Sequence, residues 1–580
     1  MGEPEHVRPR PRGGYRPNEL IAAAIALLLP LLFATSFKFV AWAPRYVSLP
    51  LIAAIGLIMT PRLLAGPLRR PAVLALGFLA WAGLATLLAS SRTIAFWGRY
   101  SLGTGWLFMA ALVATWMLGG SVRPASAALV ERAIWIACVA NASIALLQQV
   151  FDLSSLSLGL YSGRSAGLYG NPVYLAELLA GGLWLGLCRQ RRWTATNIAG
   201  LVVIAAALAV SGSRWAVGVA LLAGIAVLVH LGWRRGLAAT MLVVAGFALG
   251  AGLASAGISG GGSTGIDRAG AAPASGIRPR LDTWRSALPA IAERPIVGWG
   301  PNGFLAATSS RRTLAIARTE GPDTLFGDAH NVIVELAVAA GLPGLALFLG
   351  WLVLAIGGTR RAELDGRVSV ALGGFTAAGL TMMLVEPLHV GVAPVTLLAL
   401  GAAAAAGRDG HAATERSAAS TAAWVAGAAL CTAGLAASVV LAVGLINLRR
   451  AELDDDPAGA RAAARLLPRW AEPASVVARL NSFQAIAYGN NAARAESLRW
   501  YASAASRDND DPAPWNEWGG ALILAGDEPA AGTAFAHALA RNPWSLLALR
   551  GAAHVSSVEG QPEKAATLRA RITRIAPRGS

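Results

Sequence analysis

The chain has 580 residues, of which 55% are hydrophobic and only 14% are charged, and its mean hydropathy is +0.52. Soluble proteins carry roughly 25% charged residues, so the composition excludes an ordinary soluble domain. The formal net charge is +17, but the arginines lie mostly in short loops between apolar blocks, which indicates membrane orientation and not nucleic-acid binding.

The apolar residues come in blocks of about 20, the length at which a helix crosses roughly 30 Å of hydrocarbon. They predict an all-α, multi-pass helical membrane protein with about 12–13 transmembrane helices. No cleavable signal peptide is expected, because the first block is long enough to remain as an anchor. The predicted spans are residues 20–37, 46–60, 71–89, 104–120, 125–150, 172–188, 195–211, 214–232, 237–258, 331–357, 367–385, 391–407 and 421–446.

The chain divides into three regions. Residues 1–18 form a Pro/Gly/Arg-rich tail that is predicted to be disordered and cytoplasmic, and residues 19–446 form the polytopic membrane domain. With the N-terminus inside, the inner loops hold more arginine than the outer loops, as the positive-inside rule requires. This orientation makes residues 259–330 a large extracytoplasmic loop. Because the number of spans is odd, residues 447–580 are expected outside as well.

Residues 447–580 form amphipathic helices separated by Asp-Pro, Gly-Asn and Asn-Pro pairs. Trp515-x-x-Trp518-Gly519, the small residues after it and the closing Asn542-Pro543 resemble a tetratricopeptide unit. We therefore predict a helical-repeat domain, with a generic helical bundle as the alternative.

Four polar groups are predicted at the outer ends of the spans. They carry, in chain order, Arg164 with Asn171, Arg214, Arg278 with Arg280 and Arg285, and Asp328 with His330 and Asn331. Guanidinium groups bind phosphate oxygens in a bidentate fashion and stay charged, and helix N-termini add N–H donors for an anion. A histidine, with an unperturbed pKa of about 6.5, is suited to act as a general base beside them. The groups favour a di-anionic, lipid-linked ligand.

Each of these residues also has a structural explanation. An arginine at a helix end commonly extends toward lipid headgroups, and His330 with Asn331 is suited to cap the following helix. Glu177 and Glu335 fall inside spans, where a carboxylate is costly and usually functional, either as a base or as an arginine partner. The polar turn 386–389 ranks lower.

Three cysteines lie in apolar spans and are expected to be packing residues. They are Cys138, Cys188 and Cys431. The sequence contains neither a Walker A pattern nor an HExxH or Cys/His cluster. A P-loop enzyme and a metal site are therefore not expected.

Four sequence stretches match a known pattern: GRSAGLYGNPVYLA, GSRWAVGVALL, RLDTWRSAL with RPIVGWGPNGF, and AHNVIVELAVAAGLPGLALFL. Through them the chain resembles the O-antigen ligase/polymerase superfamily of membrane glycosyltransferases, best over roughly residues 160–360. The resemblance implies an enzyme that takes a glycan from a polyprenyl-diphosphate carrier at the outer face of the bacterial cytoplasmic (inner) membrane. The acceptor is a glycan, a lipid or a protein, and no metal or cofactor is implied.

The resemblance also assigns roles to residues. Arg214 and Arg280 match the arginines that hold the diphosphate, and His330 matches the histidine proposed to activate the acceptor. Arg164 matches a recurrent arginine. Further residues expected to bind the diphosphate or the glycan are Asn171, Glu177, Arg278, Arg285 and Asn331. Ala339-Ala340 stands where many relatives carry an acidic residue, so no role is expected for that carboxylate here.

Two hypotheses from other classes remain open at this point. A transporter or flippase for a lipid-linked or anionic substrate also needs many spans with charged helix ends, but would be expected to show inverted repeats and broken helices that meet at mid-bilayer. A scaffold would use residues 447–580 to recruit a protein partner. The repeat domain is a candidate binding region for such a partner or for the glycan.

Overall fold

The structure, a computed structural model, describes residues 14–100, 102–189, 194–214, 218, 233–256, 278–359, 367–407 and 421–575. Within these residues the regular elements are helices and no strand is formed. In the part of the chain that the structure describes, five helices are long and apolar enough to cross a membrane. The prediction of an all-α, multi-pass membrane protein is confirmed.

Each predicted span except one coincides with a helix. The exception, 214–232, lies outside the described residues apart from Arg214 and Gly218. The helices of the membrane part are Pro17–Leu31, Trp42–Leu57, Thr60–Leu64, Arg69–Leu87, Arg92–Trp97, Trp106–Gly120, Ala127–Val150, Pro172–Arg189, Ala195–Ser211, Trp233–Ser255, Val332–Thr359, Arg367–Met382, Ala393–Ala406 and Thr421–Leu453. Between the spans, residues 278–331, hereafter the site loop, contain the helices Arg278–Glu293, Phe304–Thr308 and Leu314–Glu320.

Two helices at the centre, Trp106–Gly120 and Ala393–Ala406, are buried on all sides. Such helices are apolar around their whole circumference. They approach each other through glycines: a Cβ on Gly119 would lie 2.2 Å from the carbonyl oxygen of Leu398, and one on Gly401 would lie 2.2 Å from that of Trp116. Small residues at such crossings allow the backbone contact that holds helices together in a membrane.

The Val332–Thr359 helix is broken at Gly341, which has φ +67°. This confirms the bend predicted from Gly341-Leu342-Pro343-Gly344. A break in an apolar helix frees carbonyls that must find other donors. Here the backbone N–H groups of Trp299 and Gly300 donate to Val338 and Ala339, at 2.7 and 3.0 Å, and Trp81 Nε1 donates to Ala340 at 2.9 Å. The break therefore fastens the site loop to the membrane part.

Gly341→Ala is expected to destabilise the protein by about 1–3 kcal/mol or more. An alanine there would need a left-handed backbone, and its Cβ would lie 2.2 Å from the carbonyl oxygen of Ile296. The matched control is Gly357→Ala in the same helix, where a Cβ meets nothing within 4 Å. Thermal unfolding in detergent measures both, and equal melting temperatures for the two variants would contradict the assigned role of the break.

The C-terminal helices pack on one another in chain order. They are Pro457–Leu466, Ala471–Tyr488, Asn491–Arg507, Pro512–Ala525, Glu528–Arg541, Leu546–Val558 and Pro562–Ile575. Side-chain caps begin several of them, among them Asp511 and Asp527. Gly519 allows Phe535 to pack closely, because a Cβ there would lie 2.7 Å from its ring. Sequential packing is typical of helical repeats, while the tetratricopeptide assignment stays a prediction.

Candidate functional site

A buried asparagine anchors the site loop beside the ends of the membrane helices. Asn302 Oδ1 accepts a hydrogen bond from the backbone N–H of Arg99 at 2.7 Å. Its Nδ2 donates to Thr104 Oγ1 at 2.6 Å. Asn302 is fully buried and has φ +56°, a conformation that asparagine tolerates better than most residues. The GWGPNGF stretch therefore attaches the site loop to the segment of residues 99–104 in the membrane part.

His330 and Asp328 form a pair at the end of the site loop. His330 Nδ1 lies 2.7 Å from Asp328 Oδ1, and the backbone N–H of His330 donates to the same oxygen at 2.8 Å. With Nδ1–H facing the carboxylate, Nε2 carries the lone pair of the neutral ring. The His330 side chain is 29% exposed, so part of the ring can be reached from outside.

Neighbouring groups fix the turn that carries His330, which has φ +51°. Trp284 Nε1 donates to the carbonyl of Ala329 at 2.7 Å. Glu335 Oε2 accepts from the backbone N–H of Ala329 at 2.9 Å. Glu335 thus supports the turn from the first turn of the next helix, which explains its place inside a span.

Asn331 is the residue that caps the Val332–Thr359 helix. Its Oδ1 accepts from the N–H groups of Ile333 and Val334 at 2.8 and 3.1 Å, and its Nδ2 donates to the carbonyl of Leu384 at 2.9 Å. Helix capping, the structural explanation considered for His330 and Asn331, therefore applies to Asn331. The His330 side chain takes no part in the cap and pairs with Asp328 instead.

Arg280 is held by a carboxylate from a distant turn. Its Nη2 donates to Glu386 Oε1 and Oε2 at 3.1 and 3.0 Å, and the Glu386 side chain is only 4% exposed. Burial raises the pKa of Glu386, and the Asp328 charge adds to this, although Arg280 and His330 act in the opposite direction. A cation and a buried carboxylate therefore lie next to the histidine.

The other two arginines of the third polar group differ from Arg280. Arg285 is 75% exposed and pairs with Asp282 at 3.3 Å; among the described residues no contact joins it to His330. Arg278 begins the helix Arg278–Glu293, and its side chain lies outside the described part of the structure.

The start of the Pro172–Arg189 helix contacts the turn of residues 386–389, which contains Glu386. Asn171 Oδ1 accepts from the N–H of Val173 at 2.9 Å, so Asn171 begins this helix. The ring of Tyr174 stacks on His389, with centroids 4.0 Å apart, and lies within electrostatic range of Asp328 and Glu386. The polar turn 386–389 is thus part of the site.

Glu177 lies one turn further into the Pro172–Arg189 helix. It is 1% exposed, and among the described residues neither of its carboxylate oxygens has a hydrogen-bond partner. It is within electrostatic range of Glu386. An uncompensated carboxylate at this depth is costly, which is the usual mark of a functional residue.

Arg164 is hydrogen-bonded to the end of the Ala195–Ser211 helix, three residues before Arg214. Arg164 Nε donates to the carbonyl of Ser211 at 2.7 Å, and Arg214 follows three residues later, half-buried. Tyr161, whose backbone pairs with Arg164, is within electrostatic range of Tyr174. The structure therefore holds Arg164 against the turn that precedes Arg214.

Asp328 tunes the basicity of His330. Burial alone lowers the pKa of His330, but the charge and hydrogen bond of Asp328 outweigh it, so the pKa is raised above its usual 6.5. A histidine that acts as a base works in its neutral form. A rate that depends on it must therefore rise with pH through this raised pKa.

Asp328→Asn is expected to move the acid side of the pH–rate profile to lower pH. The amide can still accept the Nδ1–H bond, but without the charge burial prevails and the pKa of His330 falls. The measurement is kcat/KM against pH for a glycan-transfer reaction. The same exchange at Asp282, which pairs with Arg285, serves as the control, and an unmoved profile in Asp328→Asn would disprove the coupling.

The sequence prediction ranked the turn that contains Glu386 below the other polar groups and did not single out Tyr174. The feature that could have identified Glu386 is its place in a short apolar turn after a span, because a carboxylate in such a turn needs a cation as partner. Only the fold shows that this cation is Arg280, since 106 positions separate the two residues.

The fold and the site define a polytopic helical membrane protein whose charged residues meet where its helices end. Residues 199–349 match the family model described as O-Antigen ligase. This segment contains Arg214, Arg280 and His330, and its match supports the resemblance to the O-antigen ligase/polymerase superfamily that the motifs predicted. It supports glycan transfer at a membrane, with a lipid-linked glycan as substrate, as the general activity. A comparison with curated proteins gives no match.

Proposed function

We propose that the protein transfers glycan from a polyprenyl-diphosphate donor to an acceptor hydroxyl, at the extracytoplasmic face of the bacterial cytoplasmic membrane. The observation that carries the proposal is the His330–Asp328 pair beside the Arg280–Glu386 pair, within the segment that matches the O-antigen ligase family. A base and a phosphate-binding cation are the two groups that this transfer needs.

His330 acts on the acceptor in this mechanism. Its Nε2 removes the hydroxyl proton as the oxygen attacks the anomeric carbon, and the bond from that carbon to the diphosphate oxygen breaks. Attack opposite to the leaving group inverts the anomeric configuration. Asp328 holds the ring and stabilises the imidazolium that forms, as a carboxylate does for other catalytic histidines.

Arg280 acts on the leaving group. Negative charge grows on the diphosphate as the bond breaks, and a fixed guanidinium stabilises that charge more than the starting state. Glu386 keeps this guanidinium in place before the donor binds. We assign the second phosphate to Arg164 and Arg214, near the end of the Ala195–Ser211 helix, on the strength of their positions in the sequence motifs.

The transporter hypothesis is less well supported. The helix break at Gly341 is the kind of feature that creates transport sites at mid-bilayer. The carbonyls of residues 338–340 at this break are, however, bonded to Trp299, Gly300 and Trp81. They are therefore not available to an ion or a substrate.

The test is an in vitro assay with purified protein in detergent and a polyprenyl-diphosphate oligosaccharide as the sole substrate. Longer lipid-linked glycan would identify a polymerase. Product only after a lipid or protein acceptor is added would identify a ligase. No transfer with any acceptor, together with movement of the donor across liposomes, would overturn the proposal in favour of a transporter.

A further inference from the structure

The C-terminal helices are fastened to the rest of the protein at two separate places. At the first, Trp470 Nε1 donates to the carbonyl of Gly98 at 2.8 Å, and Arg99 pairs with Asp508. At the second, Trp544 Nε1 donates to the carbonyl of Arg312 at 2.9 Å, and Ser545 Oγ donates to Asp323 Oδ1 at 2.5 Å. The repeat helices therefore bridge the membrane part and the site loop.

A cavity of about 920 Å³ lies beneath this bridge, near the upper end of the roughly 300–1,000 Å³ that ligand sites occupy. All three parts of the chain line it. The membrane part contributes Lys38, Phe39, Ile94, Arg99, Tyr100 and Leu102, the site loop contributes Leu305, Asp323, Leu325 and Gly327, and the C-terminal helices contribute residues between 469 and 547. The aromatic rings in its wall are Phe39, Tyr100, Trp470 and Phe535.

Two of the three cations in the wall of this cavity are ion-paired, and the third, Arg469, lies over the Trp97 ring at 4.3 Å. Lys38 Nζ lies 2.6 Å from Glu452 and 3.2 Å from Glu472, Arg99 pairs with Asp508, and Glu517 pairs with Arg479 at 3.0 Å. Paired cations offer little to a phosphate or an acidic peptide. The cavity is therefore less suited to an anionic ligand than the Arg280 site is.

Buried polar atoms in the same wall still lack partners. Among the described residues Arg99 Nε, Asp508 Oδ1 and Asn516 Oδ1 form no hydrogen bond, and both Arg99 and Asp508 are only 7% exposed. Unpaired buried donors and acceptors are costly and call for a ligand or ordered water. The wall also carries a hydroxyl, an amide and a carboxylate side chain, those of Ser475, Asn516 and Glu472, and such groups beside aromatic faces match a hydroxyl-rich ligand, because each hydroxyl both donates and accepts.

The cavity shares part of its wall with a second, smaller cavity. Lys38, Phe39 and Leu102 also line a second cavity of about 260 Å³ that contains Asn171, Tyr174 and His389. Leu388, a wall residue of the second cavity, also lies among the residues around His330. Shared wall residues therefore lead from the first cavity through the second to the region of His330.

We propose that the cavity of 920 Å³ is a binding site for an oligosaccharide, and that it holds the sugar units of the acceptor behind the reacting one. The inference rests on the proposed glycan transfer for the direction in which the bound acceptor lies, with its reacting end toward His330. The binding of an oligosaccharide does not depend on that proposal. It assigns the repeat helices a direct role in substrate recognition, and it favours an acceptor of several sugar units over a single lipid or protein hydroxyl.

The test fills the cavity from Gly520. This residue lines the cavity, and a Cβ on it meets nothing within 4 Å. Gly520→Phe should fold, because most residues favour a helix over glycine, yet its ring would occupy the space of the sugar. Two controls accompany it: Gly520→Ala, which adds only a methyl group, and Ala536→Phe, which adds the same ring at an exposed helical position outside the cavity.

Binding is measured by calorimetry on the full-length protein in detergent. The probe is an oligosaccharide of several repeat units, released from the surface polysaccharide of the organism that makes this protein. Gly520→Phe is expected to weaken binding by about tenfold or more, equivalent to about 1.4 kcal/mol, while Gly520→Ala and Ala536→Phe bind like the unaltered protein.

Absence of binding to the unaltered protein, or equal binding by Gly520→Phe, overturns the inference. The result is separable from the transfer reaction. Binding without transfer in the assay above would sink the proposed function and leave the saccharide site, whereas transfer without binding would remove only the saccharide site.

Discussion

His330→Asn is expected to lower the rate of glycan transfer by about 10²–10⁴-fold, the usual contribution of a general base. Asparagine is the informative substitution because His330 has φ +51°. An asparagine tolerates that backbone and can still hydrogen-bond to Asp328, but it cannot accept a proton near neutral pH. A loss of rate then reports the missing base and not a strained turn.

The measurement is kcat for transfer from a polyprenyl-diphosphate oligosaccharide, with His554→Ala in an exposed position of the C-terminal helices as the control. The remaining activity of His330→Asn should also lose the acid side of its pH profile. A variant that keeps both its rate and its profile would show that another group removes the proton.

Arg280→Ala is expected to lower kcat/KM by about 10²–10³-fold, the loss seen when one electrostatic donor to a transition state is removed. Alanine also leaves the Glu386 carboxylate buried without its cation, and that can destabilise the protein. Arg280→Lys separates the two effects, because lysine keeps a positive charge for Glu386 but cannot bind a phosphate in a bidentate fashion. The lysine variant should therefore fold normally and still lose activity.

Arg285→Ala is the matched control, since Arg285 lies on the same helix, is 75% exposed and pairs only locally with Asp282. Its activity should stay close to that of the unaltered protein. Equal losses in Arg280→Ala and Arg285→Ala would mean that general positive charge on this helix matters, and that the specific Arg280 site is wrong.

The membrane fold was predictable because its signals are local. A block of about 20 apolar residues predicts a spanning helix wherever it occurs, and the helix ends agree with the predicted spans to within a few residues across most of the described chain. The bend at Gly341 was predictable for the same reason, because glycine and proline within four residues interrupt a helix. The first predicted span was too long, since its helix ends at Leu31, next to Pro30.

The site was predictable only in part. Its motifs supplied Arg164, Arg280 and His330, and the structure brings Arg280 to His330 and Arg164 to the Ser211–Arg214 turn. The role of a residue that depends on which other residue it contacts could not be derived from the motifs. Asn331 caps a helix, and Arg285 is an exposed residue with a local partner, although both stand in the same motifs as the proposed catalytic groups.

By itself, the sequence determined that this chain is a helical membrane protein with a segment that resembles O-antigen ligases. Both conclusions depend on apolar blocks and short motifs, which are formed by residues close together in the sequence. Only the tertiary structure decided which charges meet. Glu386 reaches Arg280 across 106 positions, and Arg99 reaches Asp508 across 409. A buried charge is compensated by whatever partner the fold brings near it, and that partner is set by the packing of distant helices.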